Sequence, residues 1–451
     1  MKRYDTYKST GLNWFSEIPI GWEWRFLSQV AHEQNIKKPV GEMYPVMTLS
    51  YGEIKRKANI DAGLVPSNYD NYQMLYRGNI VLRLIDLQND HTSLRTGLVK
   101  ETGIITSAYT CIAPTENAAY VRYLLHSYDT RKVFYGYGGG VRQSIGYKDI
   151  RHLQVPVPPR EEQDQIVRYL DWQVSKINRL IAAKKQEIAL FEESKINHIA
   201  NIVLHGIRHH EHCIETTEFG SIPAHWQVIQ NKRLFCERVE HTETGTETLL
   251  SVSKHYGVKP SAELTEDEQF ATIKPALSLI GYKVVRKNDL VMNIMRARNG
   301  SYGISDYDGI VSPAYCIYYT TKECNVKYLH YFLRTPHVKS LFEAYSSGIA
   351  EHRRRLYPED FLRLKSVLPP PEEQDEIVEH IEQAIVKYDA GIANLRQQIA
   401  CLQDMKTRLI SDVVTGQVDV RGIEVPEYEV VEDTDTREEP EEDTEGEEYE
   451  E

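Results

Sequence analysis

The chain has 451 residues, enough for two or three domains, and shows neither an apolar leader after Lys2 and Arg3 nor a run of about 18 apolar residues that would predict membrane insertion. The net charge is −13, but 16 acidic residues and one basic residue lie between Glu424 and Glu451, so the rest of the chain is close to neutral and DNA binding is not excluded. Six dispersed cysteines without a C-x-x-C pair favour reduced thiols in the cytoplasm over a disulfide framework or a zinc finger.

The first predicted domain, residues 1–157, combines short apolar runs with glycine and asparagine turns, a pattern typical of an α+β domain. The run "NIVLRLI" at 79–85 predicts a strand, and polar residues follow it. Arginine can bind guanine, and asparagine or glutamine can bind adenine, through two hydrogen bonds each, so we predict base contacts here. A solvated surface loop has the same composition and stays an alternative. The predicted base-reading residues are Gln88, Asn89, His91 and Arg95.

A glycine-rich stretch at 134–150 ends this domain. Glycine lets the backbone approach a phosphate closely, so we predict phosphate contacts from Arg142, Gln143 and Lys148. The run "FYGYGGG" at 134–140 also hints at a nucleotide-binding loop. It follows a predicted helix and not a strand, however, and no acidic residue closes a second strand about 20 residues further on. We therefore predict no nucleotide or S-adenosylmethionine site in this stretch.

The sequence pattern over residues 158–214 predicts a central helix. Pro158 and Pro159 stop the preceding strand, and the helix dipole favours the carboxylates of Glu161 and Glu162 in the first turn. At the helix exit, "HGIRHHEHC" at 205–213 offers imidazole and thiol ligands, but a solvated linker is the simpler interpretation, so we predict no metal site. Apolar residues at helical spacing predict a stripe that packs on a second helix. This stripe comprises Ile166, Leu170, Ile177 and Ile181.

The second half of the chain, a domain at 215–368 and a helix at 369–420, repeats the first. The opening "EIPIGW" returns as "SIPAHW", and "PPREEQDQIV" returns as "PPPEEQDEIV". Five such pairs keep the same order at an offset of about 205 to 211 residues, which indicates an internal duplication. The order domain, helix, domain, helix predicts two α/β domains at opposite ends of a two-helix antiparallel coiled-coil spacer, related by a pseudo-twofold axis. The second stripe comprises Ile377, Ile381, Tyr388, Leu395 and Leu402.

The second domain carries basic polar residues at places that correspond to those of the first. Arg296, Arg298 and Asn299 follow the predicted strand "LVMNIM" and predict base contacts. A triplet of arginines replaces the glycine-rich stretch and predicts phosphate contacts, or alternatively ion pairs with the acidic start of the next helix. The tail at 421–451 has too few apolar residues to bury a core, so we expect disorder there. The arginine triplet is Arg353, Arg354 and Arg355.

Together these features resemble the specificity subunits of type I restriction-modification systems. The resemblance extends over about residues 10–420 and is carried by the two "PP-x-EEQ" helix starts, the "IP-x-x-W" openings and "GGGVRQSIGYKDI" at 138–150. It implies two target-recognition domains, each reading half of a split site in double-stranded DNA. It also implies that the helices act as a spacer and dock two methyltransferase subunits, through which nuclease-translocase subunits join.

Motifs of methylation and of DNA translocation are missing from the sequence. It has neither the G-x-x-x-x-G-K-[ST] loop of a translocating ATPase nor the Asn-Pro-Pro or Asp-Pro-Pro motif of amino-methyltransferases. We therefore predict no catalytic residue and no cofactor in this chain, and we expect S-adenosylmethionine, ATP and Mg²⁺ on partner subunits. Two alternatives stay open. One is a coiled-coil adaptor that never touches DNA, and the other is a free-standing nuclease using acids such as Asp86 or Asp306.

Overall fold

The structure is a computed structural model in which contacts divide the chain into two compact units. The first unit comprises the described residues up to 186 and from 396 on, and the second comprises those from 187 to 395. Among the described residues, no helix is both long enough and apolar enough to cross a lipid bilayer. The described residues are 2–11, 16–50, 52–57, 69, 71–85, 87, 94–137, 145–208, 210–254, 257–264, 278–348 and 354–432.

The first unit mixes helices with strands of three to five residues. Glycine, asparagine and proline are frequent between these strands, as is typical of turns. Its elements in chain order, before the long helix, are β1 (Tyr7–Ser9), β2 (Glu17–Pro19), β3 (Glu23–Phe26), α1 (Leu27–Val30), β4 (Ala31–Glu33), β5 (Met47–Ser50), β6 (Glu53–Arg56), β7 (Gln73–Leu75), β8 (Ile80–Leu82), β9 (Thr96–Leu98), β10 (Gly103–Ile105), β11 (Thr110–Pro114), α2 (Ala118–Thr130), α3 (Tyr147–Ile150) and β12 (Gln154–Val157).

A six-stranded sheet forms the centre of this unit, with the order β4-β11-β8-β9-β6-β5. In the antiparallel pair of β11 with β8, Cys111 lies opposite Val81, and both side chains are buried in one apolar cluster. Three further pairs, β1 with β2, β10 with β7 and β12 with β3, lie outside the sheet. Helix α2 begins where the Asn117 side chain accepts hydrogen bonds from two backbone N–H groups of the first turn, as an N-cap does.

The second unit repeats this plan around a four-stranded sheet, β16-β23-β20-β21. Its pairs β19 with β22 and β15 with β24 match β7 with β10 and β3 with β12 of the first unit. The elements are β13 (Cys213–Thr216), β14 (Gly220–Pro223), β15 (Gln227–Gln230), β16 (Phe235–Glu237), β17 (Leu250–Ser253), β18 (Gly257–Pro260), β19 (Lys283–Val285), β20 (Leu290–Asn293), β21 (Tyr302–Ile304), β22 (Gly309–Val311), β23 (Tyr315–Thr320), α5 (Val326–Leu333), α6 (Pro336–Tyr345), α7 (Pro358–Arg363) and β24 (Lys365–Leu368).

Two long helices, α4 (Arg160–His205) and α8 (Pro371–Val414), each contribute to both units. In the second unit they run antiparallel, since Lys195 pairs with Asp389 at 2.6 Å and His198, further along α4, faces His380, further back on α8. Most residues of the two predicted apolar stripes are buried. Buried stripe residues are Ile166, Leu170, Ile177, Ile181, Ile377, Ile381 and Leu395, whereas Tyr388 and Leu402 are half-buried.

The chain after α8 lies against the first unit. The side-chain amide of Gln165 donates to the carbonyl of Val420 at 3.1 Å, and that of Asn178 donates to the carbonyl of Val431 at 2.9 Å. Arg179 and Glu429 form an ion pair at 3.3 Å. The structure thus differs from the expectation of disorder over residues 421–432, because polar side chains of α4 bind the backbone of this segment. Residues 433–451 lie outside the described residues.

Candidate nucleic-acid interface

The segment after β20 displays three of the predicted base-reading residues of the second unit. A turn closes at Gly300, whose φ of +92° lies in the left-handed region that glycine adopts without strain. The backbone N–H of Asn293 donates to the carbonyl of Ser301 at 3.0 Å, so the turn projects from the end of the strand. On it, Arg296 and Asn299 are exposed and Arg298 is half-exposed.

A second basic segment lies next to this turn. Ser347 and Arg355 exchange two backbone hydrogen bonds, of 3.0 and 2.9 Å, which hold these two residues side by side. The N–H of the buried Leu356 then donates to the carbonyl of Ile294 at 3.0 Å. This bond joins the residue after Arg355 to the residue two before Arg296. The structure therefore brings a predicted phosphate-contacting segment beside a predicted base-reading segment.

The described arginines of these two segments, which together form the candidate interface of the second unit, have no anionic partner within the described parts of the chain. The side chains of Arg296, Arg298, Arg354 and Arg355 form no ion pair with a described carboxylate, and Arg354 donates instead to the carbonyl of Ser346 at 3.2 Å. The alternative of an ion pair between this loop and the acidic start of α8 is therefore not seen for Arg354 or Arg355. Unpaired guanidinium groups that reach solvent are the groups that bind phosphate and base edges.

The first unit joins the corresponding segments through the same kind of bond. The N–H of Ile145 donates to the carbonyl of Leu84 at 2.9 Å, as Leu356 does to Ile294 in the second unit. Lys148 is exposed on α3, three residues beyond this bond. The other predicted DNA-contacting residues fall outside the described residues, and nothing is said of their placement. They are Gln88, Asn89, His91, Arg142, Gln143 and Arg353.

Arg95 requires a correction. Its side chain is fully buried, and its guanidinium donates to the carbonyls of Arg83 and Ile85 at 3.1 and 2.9 Å. Its backbone N–H donates to the carboxylate of Asp129 at 2.7 Å. A guanidinium that satisfies buried carbonyls cannot reach a base edge in this conformation, so the prediction of base readout by Arg95 is wrong. Through these bonds Arg95 links the chain just after β8 to the chain just before β9 and to α2.

The repeated "EEQ" motif joins each long helix to its domain. In the second unit, Gln374 is buried, accepts from the N–H of Asn325 at 2.8 Å and donates to the carbonyl of Pro369 at 2.8 Å. In the first unit, Gln163 makes the equivalent bonds to Asn117 and Pro158, at 3.0 and 2.9 Å. Because the asparagine in each unit also caps a domain helix, the glutamine joins that cap to the start of the long helix.

The second glutamate of the motif binds the tryptophan of the "IP-x-x-W" opening. The indole N–H of Trp22 donates to Glu162 at 3.0 Å, and that of Trp226 donates to Glu373 at 3.0 Å. Sequence reasoning assigned Glu162 to the helix dipole only. The repetition of both motifs at matched places in the two halves was the signal that could have paired them. His210 and His225 also lie beside Glu373 and are the described residues that could hold a metal.

Comparisons with known proteins show which proteins the chain is similar to. A family model described as "Type I restriction modification DNA specificity domain" matches residues 19–190. The chain is 24% identical over 316 residues to the provisionally assigned MjaX specificity subunit of a type I restriction enzyme from Methanocaldococcus jannaschii, covering 67% of this chain and 68% of that protein. It is 22% identical over 296 residues to the MjaVIII specificity subunit of the same organism, covering 62% and 65%.

The fold also resembles that of a solved structure. A chain from a structure of complex assembly and conformational transition in the type I R-M system superposes with a TM-score of 0.59 at 14% identity. The superposition covers 89% of this chain and 99% of that chain. The mixed α/β units and the long helices therefore belong to a fold that occurs in such a system.

Proposed function

We propose that this chain is a specificity subunit of a type I restriction-modification system and that it reads a split site in duplex DNA, one half with each unit. It is the DNA-recognition subunit and not a catalytic one. The observation that carries the split reading is the matched bond, Leu356 to Ile294 and Ile145 to Leu84, which joins two candidate DNA-contacting segments in each unit.

The two segments of the second unit contact different parts of the DNA in this proposal. Arg354 and Arg355 lie on a loop and are suited to phosphates, which fix the position of a protein on the duplex without reading sequence. Arg296, Arg298 and Asn299 project from the end of a strand and are suited to base edges in the major groove, where arginine pairs with guanine and asparagine with adenine. In the first unit, Lys148 takes the phosphate role.

The long helices serve as the spacer in this proposal. We propose an antiparallel coiled coil with target-recognition domains at its opposite ends and a pseudo-twofold axis through it. Support comes from the internal duplication and from the antiparallel contacts of α4 and α8 within the second unit. Such a protein dyad matches the dyad of duplex DNA, so that two similar domains face half-sites on opposite strands.

The partners supply the chemistry. We propose that the helices dock two methyltransferase subunits, that nuclease-translocase subunits join through these, and that the complex acts in the cytoplasm. S-adenosylmethionine, ATP and Mg²⁺ would then bind to the partner subunits, in keeping with the missing methyltransferase and ATPase motifs of this chain. An adaptor without DNA contact is not favoured, because it does not explain why arginines of the second unit form no ion pair with a described carboxylate.

The test separates positioning from readout in the complex of this chain with its methyltransferase subunits. The target site is first selected from random DNA, and affinities are then measured on this site and on single-base variants over a range of salt. Replacing Arg354 and Arg355 by alanine should weaken binding to all sequences and reduce the salt slope by about 0.9 for each phosphate that the variant no longer neutralises. Replacing Arg296 or Arg298 should relax preference in one half-site only, by ~1–3 kcal/mol per bidentate pair.

A matched control is Arg363→Ala, an exposed arginine of the same unit whose guanidinium lies 3.6 Å from Asp360. This variant should bind as the unchanged chain does. If the Arg296 and Arg354 variants lose affinity in the same way on every sequence, the division into base and phosphate contacts is wrong. If neither pair changes binding, the surface is not the interface.

A further inference from the structure

Two imidazoles and a carboxylate meet in the second unit, at residues that the proposed DNA reading does not use. His210 follows the end of α4, His225 lies in the turn between β14 and β15, and Glu373 lies in the first turn of α8. One ligand atom from each of these side chains lies within 4.8 Å of the other two. The three residues come from segments that are far apart in sequence, so the fold itself assembles the cluster.

The separation of His225 from Glu373 is that of a hydrogen bond, whereas the separation of His210 from Glu373 is longer. Nε2 of His225 lies 2.9 Å from Oε2 of Glu373, but Nε2 of His210 lies 3.6 Å from Oε1, beyond the range of a hydrogen bond. The Nε2 atom of His210 is buried without a hydrogen-bond partner among the described residues. Ligands of a tetrahedral zinc ion at about 2.0–2.2 Å lie about 3.3 Å apart, which falls between the two separations, each of which ends on a different oxygen of Glu373.

The first unit shows how the same place is filled without imidazoles. There the indole of Trp22 and the hydroxyl of Tyr4 both donate to Oε1 of Glu162, so one carboxylate oxygen accepts from two neutral donors. In the second unit the indole of Trp226 is kept, His225 meets the same oxygen, Oε2 of Glu373, in the place of the tyrosine, and the buried Nε2 of His210 lies beside the other oxygen. The imidazoles are thus an addition to a common pairing of tryptophan with glutamate.

Gly206 makes room for this addition. It ends α4 with a φ of +77°, and a Cβ atom there would lie 2.8 Å from Nε2 of His210. The chain can therefore turn back sharply enough to place His210 against the start of α8. A larger residue at 206 would force this imidazole away from Glu373.

We propose that His210, His225 and Glu373 bind a zinc ion, with water completing a tetrahedral site. Two neutral imidazole nitrogens and one carboxylate oxygen form a ligand set that zinc accepts, and the indole hydrogen bond fixes the carboxylate in place. The ion would fasten the segment leaving α4 and the turn before β15 to the first turn of α8. Its role is structural, and it does not depend on the proposed DNA reading.

The experiment uses the full chain, freed of metal with a chelator and titrated with Zn²⁺ against a competing chromophoric chelator. We expect one zinc ion per chain at this site and an increase in the thermal unfolding midpoint on binding, since a ligand of the folded state stabilises it. His210→Ala and His225→Ala should each weaken zinc binding at least about tenfold, because loss of even a supporting group costs about tenfold to a hundredfold.

Two further variants distinguish a zinc ion from a hydrogen bond to Glu373 and from a thiol ligand nearby. His225→Gln keeps a hydrogen-bond donor beside Glu373 but is not a zinc ligand, so it should keep the metal-free midpoint and lose the zinc-dependent increase. Cys213→Ser removes an exposed thiol of the same segment and should bind zinc as the unchanged chain does. The proposal is overturned if the metal-free chain takes up no zinc, if the histidine variants bind it equally well, or if Cys213→Ser alone abolishes binding.

Discussion

His126 on α2 is a buried imidazole that the folded first unit keeps neutral. Only 6% of the residue is exposed, and its Nδ1 atom has no hydrogen-bond partner among the described residues. Burial, together with smaller contributions from the positive charges of Arg122 and Lys406, lowers the pKa of His126 to about 3. Because the ordinary pKa of histidine is about 6.5, the unfolded chain binds this proton at a pH where the folded chain does not.

The sign of the pH dependence follows from this lowered pKa. The stability that depends on a neutral His126 is fully present above pH ~6.5 and is lost as the pH falls towards about 3. We expect a loss in the free energy of unfolding of at most about 1.4 kcal/mol per pH unit. In urea unfolding between pH ~7.5 and ~5, the free energy of unfolding of His126→Leu should rise relative to that of the unchanged chain as the pH falls. His152→Leu, at an exposed site, should show no such relative rise. If the free energy of unfolding changes with pH in the same way for all three proteins, His126 is not the group responsible.

At the scale of elements, the start of each long helix is fixed by one buried glutamine. Gln374→Ala removes both hydrogen bonds of this side chain and leaves the N–H of Asn325 unsatisfied, which should cost ~1–3 kcal/mol in the free energy of unfolding. Gln383→Ala, at an exposed position of the same helix, should change it by less than about 0.5 kcal/mol. Chemical denaturation of the two variants makes the comparison. Equal, small effects would mean that the motif does not fasten the helix.

Sequence patterns predicted these helices well, because proline, acidic first turns and an apolar stripe are local signals. The buried Ile166 and Ile377 are where the spacing placed them. Pairings across long stretches of chain were missed, since a pattern read along the chain does not show which segments meet. The contact of His225 with Glu373 joins residues on different elements, and the guanidinium of Arg95 turns towards Arg83 although its neighbours suggest a surface loop.

The same limit explains the residues after α8. Their composition is acidic and poor in apolar side chains, which predicted disorder from 421 onward. The segment is nevertheless bound as far as Glu432, because Asn178 and Ser175 of α4 offer side-chain groups to the backbone of Val431. Composition reports whether a segment can form a core of its own. It does not report whether polar groups of another element can hold it.

At the scale of the whole molecule, the proposed spacer makes the gap between half-sites depend on helix length. Because α4 and α8 pair antiparallel in the second unit, a lengthened spacer needs equal insertions in both helices. Four residues inserted after Gln186 and four after Leu395 would add ~6 Å and about one helical turn, which keeps both apolar stripes facing inward. Since a base pair advances the duplex by about 3.4 Å, the preferred gap should grow by about two base pairs, with both half-sites unchanged.

The measurement is a selection of bound DNA over sites with randomised gap length, made on the complex with the methyltransferase subunits. The matched control inserts two residues at each of the same places. This rotates the stripes by ~200°, so it should damage helix packing and the free energy of unfolding and should not shift the gap. A four-residue variant that folds stably and still prefers the original gap would show that the helices do not set the distance. The spacing would then have to come from contacts of the two units with the DNA itself.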